Sequence, residues 1–342
     1  MENAIKNNRI YLFDNIKIFL ITTVVIGHFA EVGTSVSEIY KSIFVFIYAF
    51  HMPLFLFISG LFHKNKNITQ KIVMYVSLGF LSKIVLYIMK LAVNGKASFS
   101  LLSDSYLPWY MFVMAMFTAT SWFLRNTDKR FVLVMAIILA CVAGYDSSVG
   151  DYLYLSRFIV LYPFFVLGEM TTKETILKIN RNKAIKLAAA VIIVLWLVLC
   201  FTKLDSVYIL RPLFTARNPF STKEIFEKWG FLYRVLCYII SFLTSASIIC
   251  LIPDINIPYI SKMGSRTLQI YFWHWPFALI LKKIGLQAML LETSHGKLLW
   301  LLIAIALTFL LSMGIFSFPT KQIAQLSKQK RIEKTNCKEK YI

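Results

Sequence analysis

Charge is scarce in this sequence. Of 342 residues, 16% are charged while 58% are hydrophobic, and the mean hydropathy is +0.66. A soluble domain of this length would carry more charge on its surface, which argues against that class. Acid is scarcer still, with 17 Asp and Glu against 37 Lys and Arg, a formal net charge of +20. Cysteine is sparse, and no CxxC occurs. Cys141, Cys200, Cys237 and Cys250 lie in or beside apolar runs and Cys337 lies in a basic tail, so neither a zinc site nor a disulfide framework is indicated, and no metal is expected. There is no Gly-rich phosphate loop or nucleotide-hydrolysis motif, which disfavours ATP-driven pumping. No Pro/Gly/Ser linker divides the chain, so one integral domain over 1–318 with a basic tail over 319–342 is the simplest organisation. No small-residue cleavage site follows the first apolar run, which is therefore expected to be retained like a signal anchor. Inverted repeats and low-complexity segments are also missing.

What the sequence has is long apolar runs. A helix needs about 20 apolar residues to cross a bilayer. On that measure about ten spans are expected, near 13–31, 42–62, 70–92, 107–124, 131–145, 152–170, 185–203, 230–252, 267–285 and 297–318. This predicts an all-α integral membrane bundle with both termini on one side. Segments on the side of the N-terminus hold 22 Lys and Arg, and those opposite hold 10. The excess puts both termini in the cytoplasm. Basic residues in short loops are topology signals and contacts to anionic membrane lipids, so nucleic acid is not expected as a partner. The longest outer loop, 203–229, contains VYILRPLFTARNPFSTKEIFEKW. It is aromatic and basic, suited to an acidic or sugar-containing substrate, or else to capping the bundle.

The first span, YLFDNIKIFLITTVVIGHFAEV, carries Asp14, Lys17, His28 and Glu31. Charge near a bilayer centre is costly and usually has a partner or a task. Positions 14, 17, 21, 24, 28 and 31 step by three or four and so share one helix face. Lys17 and His28 are three turns apart, roughly 16 Å along the axis. Asp14 is one turn from Lys17, near enough to pair with it. Such a stripe suits an elongated anionic molecule, with its charge at Lys17 and its reactive end at His28, a general base near neutral pH. The competing reading is that Lys17 snorkels to the headgroups beside Asp14 and that Glu31 is already in water. Gly27 leaves room beside His28 for a backbone or a ligand.

Further candidates lie downstream. His51 precedes Met52-Pro53, where proline would break the helix ladder and open a polar pocket; a structural hydrogen bond is the alternative. Ser59 and Gly60 suit close helix packing. Arg157 contacts substrate or neutralises a carboxylate. Trp109 is a substrate-contact candidate or an interfacial anchor. Tyr271 and His274, one turn apart, line a pocket or belong to a packed cluster with Trp273 and Trp275. His63 and His295 fall in loops and are expected to be solvated.

DNIKIFLITTVVIGH resembles the first-helix signature of the membrane acyltransferase 3 family: a basic residue, ten residues, then His. FHMPLFLFISGLF, LPWYMFVM, SRFIVLYPFFVLGE and SRTLQIYFWHWP resemble four later family stretches, in the right order. The likeness runs from about residue 10 to 318. The second helix and the outer loop look most like the branch that acetylates exported polysaccharides, including fucose 4-O-acetylase-like members. The resemblance implies transfer of an acetyl group from cytoplasmic acetyl-CoA to a hydroxyl of an exported or surface polysaccharide, or its lipid-linked glycan precursor, in the bacterial cytoplasmic membrane. It further implies that His28 is catalytic and Lys17 a contact for CoA. Many members have Arg where this chain has Lys17, a point charge without the bidentate fork. The chain carries no appended esterase-like domain, so a second transfer would be expected to need another protein.

A thioester is already activated, so the chemistry needs a base for the sugar hydroxyl. His28 supplies it, and Glu31 or Glu169 would orient the imidazole. Direct transfer is the simpler route, with an acyl-histidine intermediate as the other. Two rivals share the apolar spans: a transporter or flippase of lipid-linked sugars, and a structural subunit of an export complex. The first needs neither a thioester nor His28.

Overall fold

Backbone N–H and C=O groups find no water inside a bilayer, so an apolar chain must close its hydrogen bonds within helices. The structure, a computed structural model describing residues 10–103 and 107–325, contains no strand among those residues. Most of the expected basic tail, with Cys337, lies outside the described residues. In chain order the helices begin with α1 (Tyr11–Val32), α2 (Glu38–Tyr48), α3 (His51–Leu61), α4 (Ile68–Asn94) and α5 (Trp109–Phe123). They continue with α6 (Lys129–Val142), α7 (Leu155–Met170), α8 (Lys173–Arg181), α9 (Lys183–Thr202), α10 (Leu204–Tyr208) and α11 (Arg211–Phe214). The last five are α12 (Glu224–Leu251), α13 (Ile260–Met263), α14 (Thr267–Lys283), α15 (Leu286–Leu291) and α16 (Ser294–Leu311).

Seven helical stretches among the described residues are long and apolar enough to cross a membrane: α1, α2 with α3, α4, the helix ending at Met170, α9, α12 and α16. Helices α5, α6 and α14 stand where the other three spans are expected, at 15, 14 and 17 residues. The second span is broken. Pro53 lacks the N–H that would bond Ala49, and α2 stops at Tyr48 before α3 starts at His51.

Connections fall at two ends of the bundle. At the end where α1 begins, here the base, Leu12 N–H donates to Asp254 Oδ1 at 2.9 Å and Arg181 approaches the same carboxylate at 3.8 Å. Phe13 meets Phe62 edge-on at 5.1 Å. At the opposite end, the crown, Tyr40 donates to the Lys297 carbonyl at 2.6 Å, Lys283 to that of Val93 at 3.0 Å, and Arg217 holds Asp151. These contacts link only loops expected on the same side of the membrane.

Two cations within helices serve the crown. Lys83, 3% exposed, donates to the carbonyls of Ser100 and Ser103. Arg234, 1% exposed, donates to the Leu213 carbonyl at 2.9 Å. Both are desolvated and hold crown loops down. Helices α3 and α7 cross backbone to backbone. A Cβ at Gly60 would collide with the Phe165 carbonyl, and one at Gly168 with that of Phe57. Reciprocal glycines of this kind let backbones approach where apolar burial gives helices no drive to associate. Helix α9 is peripheral, with Leu187, Val194 and Leu195 facing outward.

Candidate active site

Helix α1 carries its polar stripe as the spacing predicts. Lys17 Nζ lies 3.4 Å from Asp14 Oδ1 and 5.2 Å above the Phe62 ring. Lys173 shares that ring, 4.7 Å from its centroid. The base thus holds two lysines around one aromatic, beside Asp14. Higher on the stripe, Ile21, Val24, His28 and Glu31 all line one cavity of about 250 Å³ in the bundle interior. Lys17 and Asp14 stand below it and are not part of its wall.

Glu31 is the hub. His28 Nδ1 is 3.5 Å from Glu31 Oε2, Tyr48 Oη donates to the same oxygen at 3.1 Å, and Arg211 Nη2 is 3.7 Å from Oε1. The His28–Glu31 contact is an electrostatic pair rather than a hydrogen bond, since Nδ1 has no hydrogen-bond partner. Long contacts of this kind are common before substrate binds and tighten in the reacting complex. With Nδ1–H directed at a carboxylate, the proton-accepting lone pair of a neutral imidazole sits on Nε2. The space beside Gly27 goes to Ile47 and the ring of Tyr48, 3.3 Å from where a Cβ would stand, so that glycine lets Tyr48 reach Glu31.

Four of the downstream candidates meet in the same cavity. His51 is buried at the start of α3, donates from Nδ1 to the Ile47 carbonyl at 2.9 Å and sits edge-on to Tyr48 at 4.5 Å. Both readings of this residue therefore hold: it makes a structural hydrogen bond and lines the site. Arg157, 4% exposed, pairs with Asp151 Oδ1 at 3.0 Å and lies 4.8 Å above the Trp109 ring. Trp109 is thus a wall of the cavity beneath a guanidinium. Arg217 grips the other oxygen of Asp151, with Nε at 3.0 Å and Nη2 at 2.5 Å. Tyr271 donates to the Leu107 carbonyl and packs 5.4 Å from Tyr110.

Three expectations need correction. His274 is not on the wall of this cavity. It is fully buried, donates from Nδ1 to the Ile270 carbonyl at 3.1 Å and stacks on His28 with centroids 5.4 Å apart, so it backs the imidazole as part of the packed cluster. Glu169 does not reach His28. It sits at the base end of α7, where Ser121 donates to it and Lys129 Nζ is 2.9 Å away. The carboxylate beside His28 is Glu31. His63 is not solvated: its side chain is 5% exposed, packed on Phe165 and 3.9 Å from Glu169. Burial lowers its pKa below the ordinary histidine value, with Asn65 and Glu169 acting the other way.

Tyr48, Tyr110, Asp151, Arg211 and Arg217 enter the site without having been singled out from the sequence. The two arginines belong to the aromatic and basic loop, whose composition was the available signal. Tyr48 lies one turn before His51 across the break.

A second cavity of about 370 Å³ opens among the crown ends of α1, α4 and α14. It shares only two lining residues with the first, His28 and Glu31. The arrangement is a carboxylate-oriented imidazole with space on two fronts and cations near both ends of its helix. That suits a proton transfer between two substrates that enter separately.

No curated protein and no solved structure matches the chain. A family model described as an acyltransferase domain matches residues 10–317, nearly all of the helical bundle. With its apolar helices, its buried imidazole and this match, the chain belongs to the acyltransferase 3 family and is a multi-pass membrane enzyme that transfers acyl groups.

Proposed function

We propose that the protein moves an acetyl group from cytoplasmic acetyl-CoA to a hydroxyl of an exported or surface polysaccharide, or of its lipid-linked precursor, in the bacterial cytoplasmic membrane. The observation that carries this reading is the position of His28 and Glu31 on the walls of both the main and the second cavity. The excess of Lys and Arg in the base loops supports a cytoplasmic base with both termini there, and ten apolar helices crossing between base and crown. Resemblance in residues 50–62 and in the outer loop supports the polysaccharide-acetylating, fucose 4-O-acetylase-like branch.

Donor and acceptor then have separate places. Lys17 and Lys173 at the base face the phosphates of CoA, and the extended pantetheine arm rises along the α1 stripe. The rise from Lys17 to His28, roughly 16 Å, is of the order of that arm. Lysine suits phosphate as a point charge. The acetyl carbonyl arrives at His28 in the main cavity. Glu31 holds Nδ1–H and stabilises the imidazolium that forms. His28 Nε2 takes the proton of the sugar hydroxyl as its oxygen attacks the carbonyl carbon. Collapse of the tetrahedral adduct breaks the carbon–sulfur bond, and the proton on His28 passes to the departing CoA sulfur. The products are the sugar ester and free CoA, with no other reactant needed. Access from two sides favours this direct attack over an acyl-histidine.

The test is ester-linked acetyl on isolated surface polysaccharide in three strains: wild type, deletion, and deletion carrying His28→Ala at matched membrane level. Acetyl present only in the wild type supports the reading. Equal acetyl in all three, with polysaccharide export reduced on deletion, makes a flippase of lipid-linked sugars the better account.

A further inference from the structure

Glu31 is poorly placed to orient His28 unaided. It stands in the last turn of α1, next to Val32, where the negative end of the helix dipole repels a carboxylate. Its side chain is 30% exposed, and a flexible glutamate in that setting turns to solvent unless something holds it. Two residues from other parts of the chain do. Tyr48 donates to Oε2 at 3.1 Å, the same oxygen that faces His28 Nδ1 at 3.5 Å, and Arg211 Nη2 lies 3.7 Å from Oε1. Each of these is itself fixed. The ring of Tyr48 stacks on buried Phe44 with centroids 3.7 Å apart and meets His51 edge-on at 4.5 Å. The Arg211 guanidinium lies 5.1 Å from the same Phe44 ring and 5.7 Å from that of Tyr208. Phe44 thus seats both holders of the carboxylate. The segment behind Arg211 is tied to α12, where Arg234 donates to the Leu213 carbonyl at 2.9 Å.

We propose that Tyr48 and Arg211 are positioning residues for acyl transfer: they hold the Glu31 carboxylate against Nδ1 of His28 and act on the imidazole only through it. The inference rests on the acyl-transfer reading with His28 as general base, and adds the two residues that make Glu31 effective. A carboxylate oxygen accepts more than one hydrogen bond, so Tyr48 can occupy Oε2 and still leave room there for Nδ1–H. Arg211 anchors Oε1. With both oxygens held, the carboxylate turns away from His28 only when both contacts break. When His28 Nε2 takes the proton of the acceptor hydroxyl, the positive charge that forms on the ring meets a carboxylate already in place, and little reorganisation is needed as the barrier is crossed. Tyr48 owes its position to the break in the second span: α2 ends on it, and α3 restarts at His51. Arg211 opens α11 in the outer loop, one turn ahead of Phe214, which lines the main cavity. The aromatic and basic loop therefore does more than wall the cavity; it reaches the His28–Glu31 pair.

The experiment is a pair of double-mutant cycles on the full-length protein in phosphatidylcholine vesicles. Labelled acetyl-CoA is the donor, and surface glycan from a strain lacking this protein is the acceptor. Tyr48→Phe and Arg211→Gln should each lower kcat about tenfold and leave KM for either substrate within about twofold. In a Glu31→Ala background neither should lower kcat further by more than about twofold, because the group they act through is gone. Arg211→Lys should recover most of the rate, since a contact at 3.7 Å to one oxygen uses the charge and not the bidentate fork. A loss that is the same with Glu31 and without it would mean that the residue acts on substrate or on folding, and the inference fails. It fails too on a rise in KM with kcat unchanged, the mark of a substrate contact. Single variants that keep wild-type kcat overturn it as well and leave acyl transfer standing. Absence of His28-dependent label on the glycan overturns acyl transfer to the glycan and the inference together.

Discussion

Helices α1 and α9 look alike on paper, with 22 and 20 residues, mostly aliphatic. The bundle treats them oppositely. In its most apolar window, α1 is 67% buried and α9 only 17%. The charges of α9, Lys183 and Lys186, stay in its first turn, and its outward residues are apolar, mostly Leu and Val. Helix α1 carries Asp14, Lys17, His28 and Glu31 and faces neighbours that answer each of them. In a membrane the usual rule turns over: the greasiest helix is the wall, and the helix with charge is the centre.

Substitutions can break that contrast. The largest expected effect is His28→Ala, a loss of about 1,000-fold in acyl transfer, the scale of a general base; vesicle assays at matched protein level would measure it. Next is Leu195→Lys in α9, which puts a charge where only lipid can receive it. It should cost about 2.5–3.5 kcal/mol of insertion and lower the amount of protein in membranes. Quantitative blotting of membrane fractions checks this, and an unchanged level would mean α9 has a protein neighbour. Glu31→Gln keeps the shape and removes the charge behind the imidazole. A fall of about 100-fold in kcat with little change in either KM is expected, whereas Glu169→Gln should leave kcat within about twofold. If Lys17 contacts the donor as proposed, Lys17→Ala should raise KM for acetyl-CoA about tenfold, or 1.4 kcal/mol, with Lys17→Arg recovering most of it. The smallest effect is Leu195→Ala, below about 0.5 kcal/mol in unfolding and invisible in turnover.

Much of α1 was legible because its information is local. A period of three to four residues puts Asp14, Lys17, His28 and Glu31 on one face whatever surrounds them, and Pro53 breaks its ladder without help from other helices. What was not legible depended on crossings. Whether Glu31 or Glu169 faces His28 is decided by where α7 ends relative to α1, and no spacing within either helix contains that. In sequence His274 fitted either a pocket wall or a packed cluster, and only the stack between its ring and that of His28 puts it in the cluster. His63 sits in a polar loop, and only the approach of α7 brings Phe165 and Glu169 over it. Arg211 and Arg217 were visible as members of a basic loop, but their targets, Glu31 and Asp151, lie on segments far away along the chain.

The Gly60–Gly168 crossing has a kinematic consequence. Helices α3 and α7 touch backbone to backbone, so neither slides or tilts without the other. His51, Met52 and Phe55 ride on one member of this pair and Arg157 and Leu161 on the other. One side of the main cavity is therefore a single rigid jaw. Whatever motion admits an acyl donor falls to the facing jaw of α4, α5 and α14, which contributes Met74, Tyr75, Trp109 and Tyr271. Spin labels placed across α3 and α7 should keep one sharp separation when donor binds, while labels from α3 to α4 should shift; a shift in the first pair instead would put the hinge at the glycines.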